Sequence, residues 1–329
     1  MARFSGRRTS IGVAKDSSRG NTASSAEYWI PYASYSYTEK VLKIKDESGL
    51  GTLATPQGSD IVKEWTEGEL TMHIRDLSIG LFLLSLYGAE SFAQDTPESN
   101  VGTHTFTLAE SNQHQSLTIF KKDPVETLAS PLTMVTSFQV QAVLDQYAQI
   151  TVGLMGKKFG ADVETVAYVA ENKFRPQDLS IKLASAGSDP TGASAQGTVR
   201  SIDFTANKNI EEYQGLGSKA LTDILNKDFV CSGNMEVLFE AETFKNYVLG
   251  DSNQNRSMAL EFQNLQAIAG GTTNPKLSFI FDEVVFNEFT QDYENSNLVM
   301  VSLSFEMVYN MNNARMHRAI LINGRNSAY

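Results

Sequence analysis

From Val299 the apolar residues fall on alternate positions, through Val301, Leu303, Phe305, Met307 and Tyr309, with Ser302, Ser304 and Glu306 between them. Successive side chains of a strand point to opposite faces, so this pattern predicts a long antiparallel strand with one dry and one wet side. The same alternation sets Leu70, Met72 and Ile74 against Glu69, Thr71 and His73, and Phe138, Val140, Ala142 and Leu144 against Gln139, Gln141 and Asp145. Further strands are predicted at 104–109, 116–121, 148–156, 179–184, 199–206, 229–239, 257–264 and 276–282. Helices are few and short. Asp76 is placed to cap one that ends at Gly88, Ser218 one that runs through Asn226, and a third is expected from Thr243 to Leu249 before Gly250. Segments 46–60, 90–103, 185–198 and 269–275 are rich in Gly, Ser, Thr, Pro and Asn and read as connections between strands. The fold class is mainly β.

One plan recurs. A strand-like stretch ends in Asp46, Glu47, Ser48, Gly49, Leu50 and Gly51, and another, 166 positions on, in Glu212, Tyr213, Gln214, Gly215, Leu216 and Gly217. Seventeen residues after Gly51 comes Gly68, with a strand from Glu69 to Ile74 and a helix closed by Gly88; sixteen after Gly217 comes Gly233, with a strand from Asn234 to Phe239 and a helix closed by Gly250. Two strands follow each helix, at His104–Leu108 and Leu117–Phe120 in the first half and at Met258–Phe262 and Leu277–Phe281 in the second, and then a long strand pair. A period this long, against about 20–50 residues for solenoid repeats, points to internal duplication of a whole small domain. The expected divisions are a flexible basic arm over 1–26, a first domain over 27–175 and a second over 176–329 with a basic C-terminal end.

Charge sharpens the picture. The formal net charge is −11, but residues 1–20 hold Arg3, Arg7, Arg8, Lys15 and Arg19 against Asp16 alone, and residues 311–329 hold Arg315, Arg318 and Arg325 with no acid. The segment between them carries −18. An acidic body does not adhere to phosphate backbones, because nucleic-acid binders need clustered cations. The first twenty-five residues have few apolar anchors and are expected to stay free until something binds them. No apolar run reaches the roughly 18 residues of a membrane-spanning helix, and no apolar segment follows the N-terminal arginines to act as a secretory signal. The lone Cys231 allows no internal disulfide and no cysteine zinc cage, and reads as a small buried hydrophobe.

Catalytic patterns are missing. His73, His104, His114 and His317 stand in no metal-ligand spacing, although His104 and His114 flank a polar loop and could meet across a hairpin. Gly153–Lys158 approaches a phosphate loop, but Thr151 replaces its first glycine and Lys158 its metal-binding hydroxyl. There is no nucleophile elbow, and the pairs Asp282/Glu283 and Glu240/Glu242 suit solvated faces. The reading is of a non-enzyme with no cofactor and no metal site.

The stretch Glu67, Gly68, Glu69, Leu70, Thr71, Met72, the short helix from Leu77 to Leu86 with Gly88, and the strands His104–Leu108 and Ser116–Phe120 resemble the tail tube (major tail) proteins of long-tailed bacteriophages. The resemblance runs from about residue 27 to the end. It implies tube-type β-sandwich or barrel-like domains, here two in tandem, each with a short helix. It implies a structural virion protein, assembled in the host bacterial cytoplasm, whose rings stack into the channel for DNA ejection. In that family the pair matching Phe138–Leu144 and Ile150–Gly156 supplies strands to the tube lining. Tubes of the family are usually six-fold with one domain per subunit, so two domains in one chain imply a trimer with pseudo-six-fold symmetry, a hexamer being the alternative. The implied partners are the chain itself, tape-measure, tail terminator and tail tip proteins, and genomic DNA that passes without specific binding.

Ring-to-ring contact is expected on the segment before each glycine-led strand. In the first half that places Lys43, Lys45, Asp46 and Glu47 there; in the second, Lys208, Glu211, Glu212 and a helix from Lys219. Arg3, Arg7 and Arg8 of the arm are expected to grip acidic surfaces of a neighbouring ring. A two-domain adhesin or carbohydrate-binding module is the alternative function, with Trp29, Tyr32, Tyr35 and Tyr37 as its sugar platform.

Overall fold

The computed structural model describes residues 4–54, 58–240, 242–250, 254–293 and 298–329, which leaves Arg3 outside it. The first half runs through β1 (Ser10–Lys15), β2 (Tyr28–Ile30), β3 (Tyr32–Tyr35), β4 (Thr38–Asp46), β5 (Gly58–His73), α1 (Ile79–Tyr87), β6 (Gly88–Gln94), β7 (Gly102–Leu108), β8 (Leu117–Lys122), β9 (Thr127–Val143), β10 (Gln149–Gly156) and the two-residue β11 (Gly160–Ala161). The second half continues with β12 (Leu179–Ser185), β13 (Val199–Tyr213), β14 (Asp223–Leu238), α2 (Thr243–Leu249), β15 (Arg256–Gln263), β16 (Lys276–Asp292), β17 (Met300–Met307) and β18 (His317–Asn323). Every register pairing among them is antiparallel.

Central to the fold is a sheet eight positions wide. β3 and then β4 lie along one edge of β5; from there the order is β5, β10, β9, β13, β14, β17 and the C-terminal part of β16. The 17-residue strands β9 and β16 each serve two sheets. Their C-terminal stretches belong to the wide sheet; their N-terminal stretches pair with β8 and β15, which pair in turn with β1 and β12.

The two halves repeat in register, not only in order. Bulges in antiparallel ladders leave one residue unpaired, and three recur at equivalent sites. Ala33 is skipped between Tyr32 and Ser34 as Arg200 is between Val199 and Ser201. Val62 is skipped between Ile61 and Lys63 as Lys227 is between Asn226 and Asp228. Thr136 is skipped in β9 as Asn287 is in β16. Gly68 faces Leu154 as Gly233 faces Phe305. This register makes β15 the counterpart of β8, whereas spacing along the sequence equates Met258–Phe262 with His104–Leu108. The hairpin of β6 and β7 is an extra element of the first half, paired to β18.

The core crosses between the halves. One cluster joins Leu70, Phe82 and Phe138 to Phe204, Phe279 and Phe305, and Phe204 meets Phe279 and Phe281 edge to face. The boundary expected at 175/176 falls between β11 and β12, but packing and the β9–β13 ladder span it, so the halves form one body. Cys231 is fully buried, as its isolation in an apolar run suggests.

Three expectations are corrected. The arm is not free: Ile11 and Val13 are fully buried in β1, which pairs with β2 and β8. Two apolar residues sufficed because a ladder on each side satisfies the backbone. No helix forms over Ser218–Asn226; its residues make a turn and the start of β14. Leu221 and Ile224 have helical spacing, yet both are buried with Trp65 and Ile210 in a small cluster under the β13–β14 turn, and packing overrides local propensity. The N-cap of α1 is Ser78, not Asp76, whose carboxylate instead accepts hydrogen bonds from the Asn172 backbone and side chain at 2.9 and 2.8 Å. α2 spans Thr243–Leu249 as the pattern requires.

A Cβ at Gly68 would lie 2.5 Å from the Ser36 carbonyl oxygen, and one at Gly233 2.3 Å from that of Asp203. Gly68→Ala and Gly233→Ala should each lower stability by about 1–3 kcal/mol, and Gly49→Ala, with open space around it, by under about 0.5 kcal/mol, in denaturant melts. Burial also pushes the His317 imidazole down to about 3, while its Nδ1 meets the Tyr87 hydroxyl at 2.6 Å. The folded state therefore resists a proton that the unfolded chain accepts near pH 6.5. Stability held above pH 6.5 should fall by a few kcal/mol as pH drops toward 3. His317→Phe should flatten that acid limb in urea midpoints taken across pH 7 to 4, whatever its stability at pH 7.

Candidate assembly surface

Period-two alternation gives the wide sheet one face packed on the core and one uncovered. Opposite the buried Leu70, Met72, Val140, Phe204, Met235 and Leu303 stand Glu69, Thr71, Gln139, Gln141, Asp203, Thr205, Ser232, Asn234, Ser302, Ser304 and Glu306, all partly or fully exposed. Toward the edges the same face carries Thr38, Lys40 and Glu67 on one side and Glu288, Thr290 and Asp292 on the other. Hydroxyls, amides and carboxylates dominate it, with Lys40 the sole lysine or arginine among these positions. Asp203, half-buried beside Asn234, has its carboxyl held above the usual range by desolvation.

Both edges of this sheet are open. Among the described residues β4 pairs only with β5 and residues 286–292 of β16 only with β17, and every residue of β4 is exposed, Val41, Leu42 and Ile44 included. Along β3 and the start of β4 runs a groove of about 1060 Å³, lined by Tyr32, Tyr35, Tyr37, Glu39, Leu128 and Phe159. Tyr37 is fully buried, its hydroxyl meeting Thr66, Ser130 and Thr133. The Tyr35 hydroxyl is buried with no hydrogen-bond partner among the described residues, a costly state for a polar group.

The residues singled out from the sequence separate into groups. Lys43, Lys45 and Asp46 lie exposed at the far end of β4 with Glu47 beyond them, and Asp46 accepts from the Ser48 amide at 3.0 Å. Glu211 pairs with Lys227 at 3.0 Å, and Glu212 pairs with Lys63 of β5. The second hairpin thus packs on the first half, where the Gln214 amide also donates to the Val62 carbonyl at 2.8 Å. Lys208 is not a surface contact. It is buried, donating to the Ser85 carbonyl at 2.7 Å, and desolvation holds its ammonium well below the ordinary range. His104 and His114 do not meet: His104 pairs with Glu90 at 2.7 Å and His114 contacts the Leu86 and Ala109 carbonyls. Among the described residues no group of three or more His, Cys, Asp or Glu could hold a metal. Trp29 and Tyr37 are buried, so the aromatic cluster is not an exposed platform.

Most of the terminal charge is spent inside the molecule. Arg19 meets Asp223 at 2.7 Å and donates to the carbonyls of His114 and Ile224 at 2.5 and 2.6 Å. Lys15 reaches the Tyr329 carbonyl, Arg315 pairs with Asp282, Arg318 with Asp189 and Arg325 with Glu27. Arg7 and Arg8, in a single exposed 3₁₀ turn, have no ion pair among the described residues. Arg19→Ala should cost about 1–3 kcal/mol, since it removes the ion pair to a partly buried Asp223, which keeps Gln113 and the Ile224 amide as donors, and leaves the carbonyls of His114 and Ile224 without that donor, while Arg7→Ala should change stability by under about 0.5 kcal/mol; chemical denaturation of both variants checks this.

Comparison with known proteins agrees with the geometry. No curated protein matches the chain. A family model described as phage tail tube protein matches residues 6–307. A wide sheet with an uncovered polar face and open edges suits a structural subunit of that kind, and the chain belongs to the phage tail tube protein family.

Proposed function

We propose that three copies of this chain close into a ring in which the two matched halves of each give six similar sectors, and that such rings stack into the tail tube. The observation that carries this reading is the repeated register. Three bulges and a facing glycine recur across the halves, as an internal duplication would leave them. A chain with two copies of a sheet unit fills a six-fold design with half the usual number of subunits. The wide sheet would line the bore with its wet face. Acids and hydroxyls there repel or release phosphates, so genomic DNA slides through without being held.

Stacking between rings is assigned to the far end of the projecting β4–β5 hairpin, with Ile44 as its apolar contact and Lys43, Asp46 and Glu47 around it, while Lys45 lies on the flank turned to the next copy in the ring. Arg7 and Arg8 remain available for the same purpose; Arg3 lies outside the described residues. The end rings would meet tail terminator and tip proteins, and tape-measure protein would occupy the bore during assembly in the host cytoplasm. Mass per ring and the rotational order of averaged electron micrographs test the reading. Three chains per ring are expected; six chains in a ring of the same kind would overturn it.

A further inference from the structure

The ladder between β9 and β13 joins the two halves inside one chain, and we propose that it is the template for the seam between chains, formed by β16 of one copy and β3–β4 of the next. This rests on the ring reading above. The register makes the translation specific. Residues of β9 and β10 correspond to those of β16 and β17 151 positions on, since Thr136 and Asn287 are both bulged and Leu154 and Phe305 both face the conserved-register glycines Gly68 and Gly233. Residues of β3 and β4 correspond to β13 167 positions on, fixed by the bulges at Ala33 and Arg200 and by the partners of Leu42 and Asn209.

Within the chain Thr205 faces Gln139, Asn207 faces Ser137 and Phe204 faces Val140. Translation sets Thr38 of one copy against Thr290 of the other, Lys40 against Glu288 and Tyr37 against Gln291. Phe138 packs on Phe279 inside the chain; its counterpart Phe289 would pack on Leu128, which lines the groove beside β3. The half-buried Phe289 and the exposed Tyr293 thereby enter a cavity already present, next to the unpartnered Tyr35 hydroxyl. The ion pair Glu212–Lys63 translates with its signs reversed, to Lys45 against Asp228. Both of these are exposed and in no ion pair among the described residues. Two opposite-charge pairs, Lys40–Glu288 and Lys45–Asp228, thus emerge from a translation made on backbone register alone.

Residues facing each other across an antiparallel pair lie about 4.5–5.5 Å apart at Cα, within disulfide reach, and diagonal ones about 7–8 Å apart are outside it. The full chain carrying Thr38→Cys and Thr290→Cys should, on oxidation of assembled rings, yield covalently closed rings, at least tenfold more than a Thr38→Cys, Asp292→Cys control; the native Cys231 is fully buried. Lys45→Glu should cut ring yield several-fold, and adding Asp228→Lys should restore it. Rings of normal symmetry with no Thr38–Thr290 link, with preferential linkage in the control, or without rescue by the second charge reversal, overturn the seam but leave the ring reading standing. Wild-type chain that forms no ring in parallel images overturns both.

Discussion

An antiparallel sheet that ends in open edges has backbone donors and acceptors with no protein partner, and the rest of this structure follows from where those edges are met. The first half's edge at β9 is met inside the chain by β13, over seven consecutive pairs from Ser201–Val143 to Asn207–Ser137. The edges at β4 and at residues 286–292 of β16 have no such partner among the described residues. A long flat edge of this kind invites uncontrolled pairing unless it is covered, twisted away or closed into a barrel. Neither bulge nor proline blunts residues 288–292, and the groove beside β3 stays open where its counterpart beside β13 is filled by β9. The proposed ring would satisfy both edges with one contact repeated, which is the economical solution for a chain whose two halves repeat the same register.

Period-two alternation made much of the sheet legible in the sequence. Where one face is dry and one wet, a register slip would turn every side chain over, so the pattern fixes which residues face the core. That is why Leu70, Met72, Phe138, Val140, Leu303 and Phe305 are all buried where alternation puts them. The hairpin of β4 was harder to read, because Val41, Leu42 and Ile44 do not alternate and all are exposed. Residues 218–226 were misread for the opposite reason: their apolar spacing fits a helix, and only contacts with Trp65 and Ile210, far off in sequence, decide for a strand. The repeat itself was visible through its glycines, yet its alignment beyond α1 was not, since the β6–β7 insertion shifts the spacing and only the ladder restores it. No local signal announces the groove or the Tyr35 hydroxyl. Both arise where strands distant in sequence fail to meet.

Charge behaves in the same way. Sequence position groups Lys15, Arg19, Arg315, Arg318 and Arg325 as basic ends, but folding brings each to a carboxylate or carbonyl. Ion pairs of this kind tie the chain termini to the body and leave little net attraction for a second molecule. What remains is a face on which acids and hydroxyls outnumber the single Lys40, and Lys43 and Lys45 of β4, which are in no ion pair among the described residues. Apart from Arg7 and Arg8, the unpaired charge among the described residues therefore lies on the sheet and its edges and not on the tails.

The halves differ most where they would touch unlike partners. Lys208, buried in the β13 hairpin, corresponds to the exposed Val41, and Glu212 against Lys63 corresponds to Lys45 and Asp228, which are in no ion pair among the described residues. In a ring built from identical single-domain subunits every seam is the same and must form by collision. In the proposed trimeric ring alternate seams would be covalently tethered, so their effective concentration would be high whatever their intrinsic affinity. In that ring the untethered seam alone would have to discriminate between a correct neighbour and any other exposed edge. The proposed pair Lys45–Asp228 reverses the signs of Glu212–Lys63, and Lys40–Glu288 would replace the uncharged Asn207–Ser137, so both would favour pairing of β16 with β4. A second β4 would offer neither Glu288 nor Asp228 to these lysines, so the same charges favour β16 over another copy of β4.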